Sequence, residues 1–309
     1  MPTFDITIAG ELNLDLILYG VPEELGRERE FLASDMMLTL GGSSSILAHN
    51  LAALGRKVGF ASAVGSDQFG EIGLTRLREA GVDVSTIREL RGSKTGLTVI
   101  MQREHWRNMV TYSGTIAELK WEHLNLDYLK DSRHFHLSSF YLQLGLQPQI
   151  PDLFKTMKAA GLTTSLDTND DPDDTWQGGL LDTLKYVDVF LPNEREACRI
   201  AGTDDLEQAV SWLADRVPLV VVKWGKKGAI ARHGNDRLAS AAEKVEVVDA
   251  VGAGDSFDAG FLSQYVRGKS LAECLAAGNR TGAFSTTCAG GTEAFRNRSV
   301  VEKQLGNLP

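Results

Sequence analysis

Short apolar runs alternate with helix-patterned stretches along most of this chain, and that alternation restricts the fold more than any other feature. FDITIAG (4–10) is followed by SSSILAHNLAALG (43–55), an amphipathic pattern stopped at Gly55. KVGFASAVG (57–65) precedes DQFGEIGLTRLREAG (67–81), which closes on a second glycine stop, Gly81. RHFHLSS (133–139), a helical pattern near 148–160, TTSLDT (163–168), VDVFLP (187–192) and NEREACRIAG (193–202) keep the rhythm. PLVVVKWG (218–225), GAIARHG (228–234) and EKVEVVDA (243–250) read as later strands, ahead of closing helices over about 254–266 and 271–287. Strands joined through helices pair in parallel, so the pattern predicts an α/β fold: a mostly parallel sheet with helices on both faces.

Two segments depart from the rhythm. DLILYG with EFLASDMMLTL (15–20 and 30–40) and TGLTVIMQREHWRNMVTYSG (95–114) each hold two strand-like runs with no helix between them. They predict a small extra β-sheet placed as a lid over the strand ends; two ordinary surface hairpins are the plainer alternative. The acidic run NDDPDDTW (169–176) reads as a solvated turn with capping aspartates. With no internal repeat or low-complexity tract, the 309 residues are expected to form one domain, 1–309, carrying lid segments at about 15–40 and 95–114.

A net charge of −9 argues against nucleic acid or an anionic membrane as partner. Any phosphate must therefore be held locally, by backbone N–H groups, a few cations and a metal. Cys198, Cys274 and Cys288 are scattered and odd in number, as unpaired thiols of a reducing compartment would be. The first residues carry Asp5 and Glu11 and no basic segment, so they read as a strand rather than a signal peptide. No apolar run is long enough to span a bilayer. A cytoplasmic location is expected.

The stretch DAVGAGDSFDAGFL (249–262) carries the chemistry. The dinucleotide pattern GxGxxG fails at Phe257, and a P-loop ending on GKS (268–270) would need glycine where Ser263 stands. What remains is Gly252, Ala253 and Gly254 at the start of a helix, where unpaired N–H groups and the helix dipole favour an anion. Asp255 among them makes sense as a base that takes the proton of an attacking alcohol, while the amides stabilise the transferring phosphoryl. Its plainer role is to stabilise the helix dipole.

With these residues in view, the chain resembles the ribokinase-like (PfkB-type) carbohydrate kinases over essentially its full length. The motifs fall in the family's order: Asn13 and Asp15 of an Asn-x-Asp pair, Gly41-Gly42 before the first long helix, Pro192-Asn193-Glu194-Arg195-Glu196, the Lys223-Trp224-Gly225-Lys226-Lys227-Gly228 turn, and Asp249 to Leu262. The resemblance implies a three-layer sandwich with a small β-sheet lid. It implies Asp255 as catalytic base, and Gly252, Ala253 and Gly254 as anion hole. Asn13, Asp15, Gly41 and Gly42 would form the sugar site. Asn193, Lys223, Gly225, Gly228 and Asn279 would hold ATP, and Glu196 would organise Mg2+ through its waters. Asp249, Val251, Cys288 and Gly290 match the region where family members often bind a monovalent cation such as K+.

Each weak motif also has a plain reading. Asp15 is costly in an apolar strand unless it meets donors such as sugar hydroxyls, or it lies exposed at a strand end. Glu196 shares a helix face with Asn193, or is a solvated first-turn glutamate. Gly41-Gly42 can be a simple turn, and Lys223 a snorkelling surface lysine. Three departures from the family pattern stand out, of which Ala250, where the signature usually has Thr or Pro, is harmless. Ile46 stands where GGxxxN has its asparagine, and the DPNxR stretch is Asp167-Thr168-Asn169-Asp170-Asp171, without the arginine. These leave phosphoryl transfer intact and bear on the acceptor. The expectation is an ATP-dependent sugar kinase, with Tyr112, Trp106 and Arg103 of the second hairpin as substrate contacts and a homodimer formed through the lid. The alternatives are a nucleoside kinase on the same scaffold and a non-catalytic sugar or nucleotide sensor.

Overall fold

The computed structural model describes residues 2–103 and 106–306. Met1, the lid-turn residues Glu104 and His105, and 307–309 of the expected domain lie outside the described residues. The first eight strands are β1 (Phe4–Ala9), β2 (Asn13–Tyr19), β3 (Asp35–Gly41), β4 (Val58–Ala61), β5 (Ala63–Gly65), β6 (Arg88–Leu90), β7 (Gly96–Gln102) and β8 (Arg107–Tyr112). Then come β9 (Ser132–Leu137), β10 (Thr163–Leu166), β11 (Val189–Phe190), β12 (Leu219–Lys223), β13 (Ala229–His233) and β14 (Asp236–Ser240).

The large sheet runs β14-β13-β12-β11-β10-β9-β1-β4. It is parallel from β4 to β12 and antiparallel at the β13–β14 edge. Successive side chains leave opposite faces of a strand, and each face has its own core. Ile6 and Ile8 of β1 and Val221 of β12 pack with Leu47, Leu51, Phe257 and Phe261 on one side. Ala9, Val220 and Val222 pack with Phe135, Phe154 and Leu213 on the other. Helices therefore cover both faces, and the three-layer α/β fold is as expected.

The two segments that broke the rhythm do form one small sheet, ordered β3-β2-β7-β8. It is mixed: β2 pairs with β7 in parallel, while β3 and β8 add antiparallel edges. Three local readings need correction. Residues 243–250 are not a strand: Val245, Val247 and Val248 stand 38%, 56% and 62% exposed in a loop. A tight turn at Gly234-Asn235, with Gly234 at φ +56°, instead returns the chain as β14 and takes the edge position. The 57–65 run splits at Ser62, and β5 pairs with the unforeseen β6 in a separate two-stranded sheet. The acidic run is a folded loop rather than a solvated turn. The Asp171 carboxylate is buried and accepts from the backbone N–H groups of Asp173, Thr175 and Trp176, and the Trp176 ring lies edge-on to Tyr141.

Candidate active site

The helix Ala253–Tyr265 begins at the end of the loop that carries Asp249. No side chain caps it. Its N-cap, Gly252, sits at φ +71°, and a Cβ there would fall 2.5 Å from Gly291 Cα and 3.3 Å from an Ile46 methyl. Glycine is required for both conformation and space. An uncapped first turn leaves N–H groups for an outside acceptor, which is what an anion hole needs. Lys223 flanks it, its ammonium 3.6 Å from where a Gly254 Cβ would lie.

Lys223 is buried rather than snorkelling. Its Nζ donates to Asp167 at 2.6 Å and to Asp258 at 3.1 Å. Burial alone would pull its pKa down, but Asp167, Asp258 and Glu196 outweigh that and hold it up, so it is a fixed cation. Asp258 shows the reverse balance: burial drives its pKa well above the usual carboxylate range despite Lys223, and its Oδ1 has no partner among the described residues.

Asp255 is buried in the first turn, and burial, with the charge of Asp167 added, raises its pKa to about 6. Lys223 and a hydrogen bond from Ser43 act the other way. It is thus largely ionised at neutral pH, yet close enough to neutrality to accept a proton.

The lid sheet supplies the opposite wall. Asn13 and Asp15, two residues apart on β2, share one face of the strand. Asn13 Nδ2 donates to Thr98 Oγ1 at 3.2 Å and to Asp15 Oδ1 at 3.3 Å. Burial, reinforced by the Asp255 charge, raises the Asp15 pKa to about 7. Gly41 and Gly42 are close-approach positions: added Cβ atoms would lie 2.1 Å from Asp15 Oδ1 and 2.3 Å from Asn13 Oδ1. They are more than a turn before a helix. Asp15 is not exposed at a strand end but 5% accessible.

Glu196 and Asn193 form a reciprocal cap on the helix Glu194–Ala201. Asn193 N–H donates to Glu196 Oε2 at 2.8 Å, and Glu196 N–H donates to Asn193 Oδ1 at 3.0 Å. Glu196 is buried, and burial together with the Asp167 charge lifts its pKa to about 8. In the 223–228 turn, Gly225 lies at φ +52° and Gly228 at φ +101°, with Gly228 pressed against Ser240. Asn279 Nδ2 donates to the carbonyls of Ser240 and Ala241, both at 3.1 Å, which ties the helix Leu271–Ser285 to that turn. Near the 249–252 loop, the Asp249 carboxylate accepts from the N–H groups of Val251 and Gly290, each at 3.0 Å. Cys288 precedes Gly290 in the same loop.

Three expected contacts lie elsewhere. Arg103 is spent inside the far end of the lid, donating to Pro22 O at 3.0 Å and Asn108 Oδ1 at 2.7 Å and stacking on Trp106. The Trp106 ring N–H donates to Glu23. Tyr112 pairs with Leu97, one residue out of phase with Asp15, Thr98 and Thr111, so it stands on the outer face, 54% exposed. Ile46 does not line the sugar side either; its methyls pack under Gly252 and Gly291. Asn169, left without the family's arginine, accepts from Ser139 N–H at 2.8 Å, and Arg195 pairs with Asp170.

Sequence reasoning missed Glu11, Ser43 and Asp258. Glu11 is buried and accepts from Ser44 N–H at 3.1 Å, Ser44 Oγ at 2.6 Å and Ser139 Oγ at 2.7 Å, which sets its carboxylate at the start of the helix Ser43–Ala53 beside Gly42. Its signal was a glutamate just past an apolar strand; that of Asp258 was a second aspartate one helical turn after Asp255. Among the described residues no group of three or more His, Cys, Asp or Glu could by itself hold a metal ion. Both carboxylate oxygens of Glu196 accept from Asn193. None of the described helices is long and apolar enough to cross a membrane.

Comparison with known proteins shows the family and the fold. Residues 4–298 match the family described as pfkB family carbohydrate kinase. A 2-dehydro-3-deoxygluconokinase of Bacillus subtilis is 30% identical, over 95% of this chain and 96% of its own length. A cytidine kinase of Thermococcus kodakarensis is 27% identical over 89% of this chain and 93% of its own. The crystal structure of a probable sugar kinase from Rhizobium etli superposes with a TM-score of 0.87, at 26% identity and full coverage of both chains. The chain belongs to the pfkB family of carbohydrate kinases and is a phosphotransferase with an alcohol group as acceptor.

Proposed function

We propose that the protein transfers the γ-phosphoryl of ATP to a hydroxyl of a small, uncharged carbohydrate. The observation that carries this is the meeting of Asp255 with an uncapped, glycine-opened helix N-terminus on one side and the buried polar face of Asn13, Asp15 and Thr98 on the other. Asp255 takes the acceptor's proton, and the amides of Gly252, Ala253 and Gly254 with the Lys223 ammonium stabilise the charge that grows on the phosphoryl oxygens. Asn13, Asp15, Gly41 and Gly42 hold and orient the acceptor hydroxyls. Asn193, Lys223, Gly225, Gly228 and Asn279 would hold the nucleotide, and Glu196 would help to hold Mg2+, which would neutralise phosphate charge. The whole of 1–309 acts as one domain whose lid closes over the acceptor and keeps water out.

An anionic acceptor would meet Glu11, Asp15 and Asp255 together, which favours an uncharged one. ADP release measured across pentoses, hexoses, keto-sugar acids and nucleosides tests the assignment. Fastest turnover on a neutral sugar supports it, and a sugar acid in first place overturns the charge argument. A nucleoside in first place replaces it with the second reading, favoured by the similarity to a cytidine kinase.

Three further assignments belong to the same proposal. Asp249, with the carbonyls of Val251, Cys288 and Gly290, is a K+ site, because its carboxylate already orders that loop; equal turnover in Na+ and K+ would remove it. Two copies pair through the outer lid face, where Met36, Val110 and Tyr112 stand 54–60% exposed; a monomeric sedimentation profile would exclude this. The three unpaired thiols suit the cytoplasm, and a cell fractionation that finds the protein outside it would reject this.

A further inference from the structure

The helix Ser43–Ala53 begins beside the acceptor site and ends, eleven residues and about 16 Å later, at an open cavity of about 420 Å3. None of the catalytic, acceptor or nucleotide residues lines it. Its walls carry four arginines, Arg56, Arg76, Arg296 and Arg298, against two glutamates, Glu79 and Glu302, with Phe295 and Val301 as apolar floor. Arg298 is paired with Glu302 at 3.0 Å, and Arg296 with Glu293 at 3.3 Å and Glu79 at 3.9 Å. Arg56 and Arg76 make no ion pair among the described residues. Arg56 Nε and Arg76 Nη1 are buried without a hydrogen-bond partner there.

A guanidinium N–H that has given up water and gained no acceptor is destabilising. Those two atoms are covered by protein, but both side chains line the cavity and neither is neutralised by an ion pair among the described residues. In a chain of net charge −9 the cavity thus keeps positive charge for an anion from outside. Guanidinium forks fit phosphate oxygens two at a time. A space of about 420 Å3 exceeds what a bare phosphate needs and suits a small organic molecule. Phe295 and Val301 offer that molecule's carbon body an apolar surface.

We propose that this cavity is a second ligand site, separate from the anion hole, that binds a phosphomonoester through Arg56 and Arg76. It shares a buried chain of hydrogen bonds with the catalytic helix. His49, on its wall, contacts Asn50 at 2.9 Å, and Asn50 Nδ2 donates at 3.0 Å to Ser256, the residue after Asp255.

The test is calorimetric titration with ribose 5-phosphate, inorganic phosphate and ribose at fixed ionic strength. The nucleotide site is first filled with a non-hydrolysable ATP analogue and Mg2+. The expected result is one equivalent of ribose 5-phosphate bound, tighter than inorganic phosphate, and not displaced by saturating ribose, which can occupy only the acceptor site. Arg56→Gln and Arg76→Gln should each weaken binding about tenfold or more, with Tm and affinity for the ATP analogue unchanged. Should either variant fold poorly, Arg76→Lys keeps the charge, loses the fork and is expected to bind with intermediate affinity. Equal affinity for phosphate and ribose 5-phosphate would overturn the phosphomonoester assignment. No binding by the wild type, or wild-type binding by both glutamine variants, would overturn the site.

Discussion

At the scale of single residues, the proposed mechanism rests on Asp255 and on what its surroundings do to its charge. Asp255→Asn keeps the shape and removes the proton acceptor, so kcat is expected to fall about 10²–10⁴-fold while nucleotide affinity holds. Undiminished turnover would remove the base assignment. Because burial and Asp167 raise this carboxyl to about 6, log kcat/KM of the wild type should decline with unit slope below about pH 6 as the base becomes protonated. A profile flat down to pH 5 would contradict that. Asp255 itself was legible in the sequence because glycines and small residues announced a helix start. Glu11 and Asp258 were not, because nothing local marks them. Glu11 acquires its role only when Ser44 and Ser139, 33 and 128 residues away, bring donors to it, and Asp258 only when β12 delivers Lys223.

At the scale of elements, the start of the helix Ala253–Tyr265 leaves no room for a side chain at Gly252. Gly252→Ala would put a Cβ 2.5 Å from Gly291 Cα on a residue at φ +71°. A loss of about 1–3 kcal/mol in urea denaturation is expected, since the left-handed conformation alone costs about that much. Turnover should fall about 100-fold as the amides shift. Unchanged stability and rate would show that the loop yields without consequence. Which strands and helices exist was largely readable, because periodicity reports burial on one side of the chain. Where periodicity imitates burial, the reading failed. VEVV at 245–248 alternates like a strand, yet the loop stays exposed because the Gly234-Asn235 turn had already placed β14 at the edge. Arg103 failed because it lies just past the end of β7, where Pro22 and Asn108 take its donors. Tyr112 failed for a different reason. A strand's face depends on its register with β2, and a one-residue offset decides whether a side chain meets the acceptor or the solvent.

At the scale of the whole molecule, the cost of gathering these carboxylates should be visible in stability against pH. Glu11, Asp15, Glu196, Asp255 and Asp258 all have folded pKa values above their unfolded ones, chiefly through burial. Between the two values the native state holds a proton that the unfolded chain has lost, so each carboxyl lowers stability as pH rises through that window. His49, His134 and His136 act with the opposite sign. They are kept neutral by burial, and the unfolded chain binds their protons below about 6.5, so they lower stability as pH falls. The two sets oppose each other in acid. Above about pH 6.5 the histidines are neutral in both states, and Asp15, at about 7, and Glu196, at about 8, act without that counterweight. The ligand-free protein is therefore expected to lose about 2 kcal/mol, and a few degrees of Tm, between pH 6.5 and 8.5. Glu196 contributes the larger share because its window extends furthest. Glu196→Gln keeps an acceptor for the Asn193 N–H and has no proton to lose, so most of that slope should vanish in the variant. Thermal melts of both proteins at the two pH values decide it: an equally steep fall in Glu196→Gln would mean that Glu196 is already ionised in the folded protein at pH 6.5.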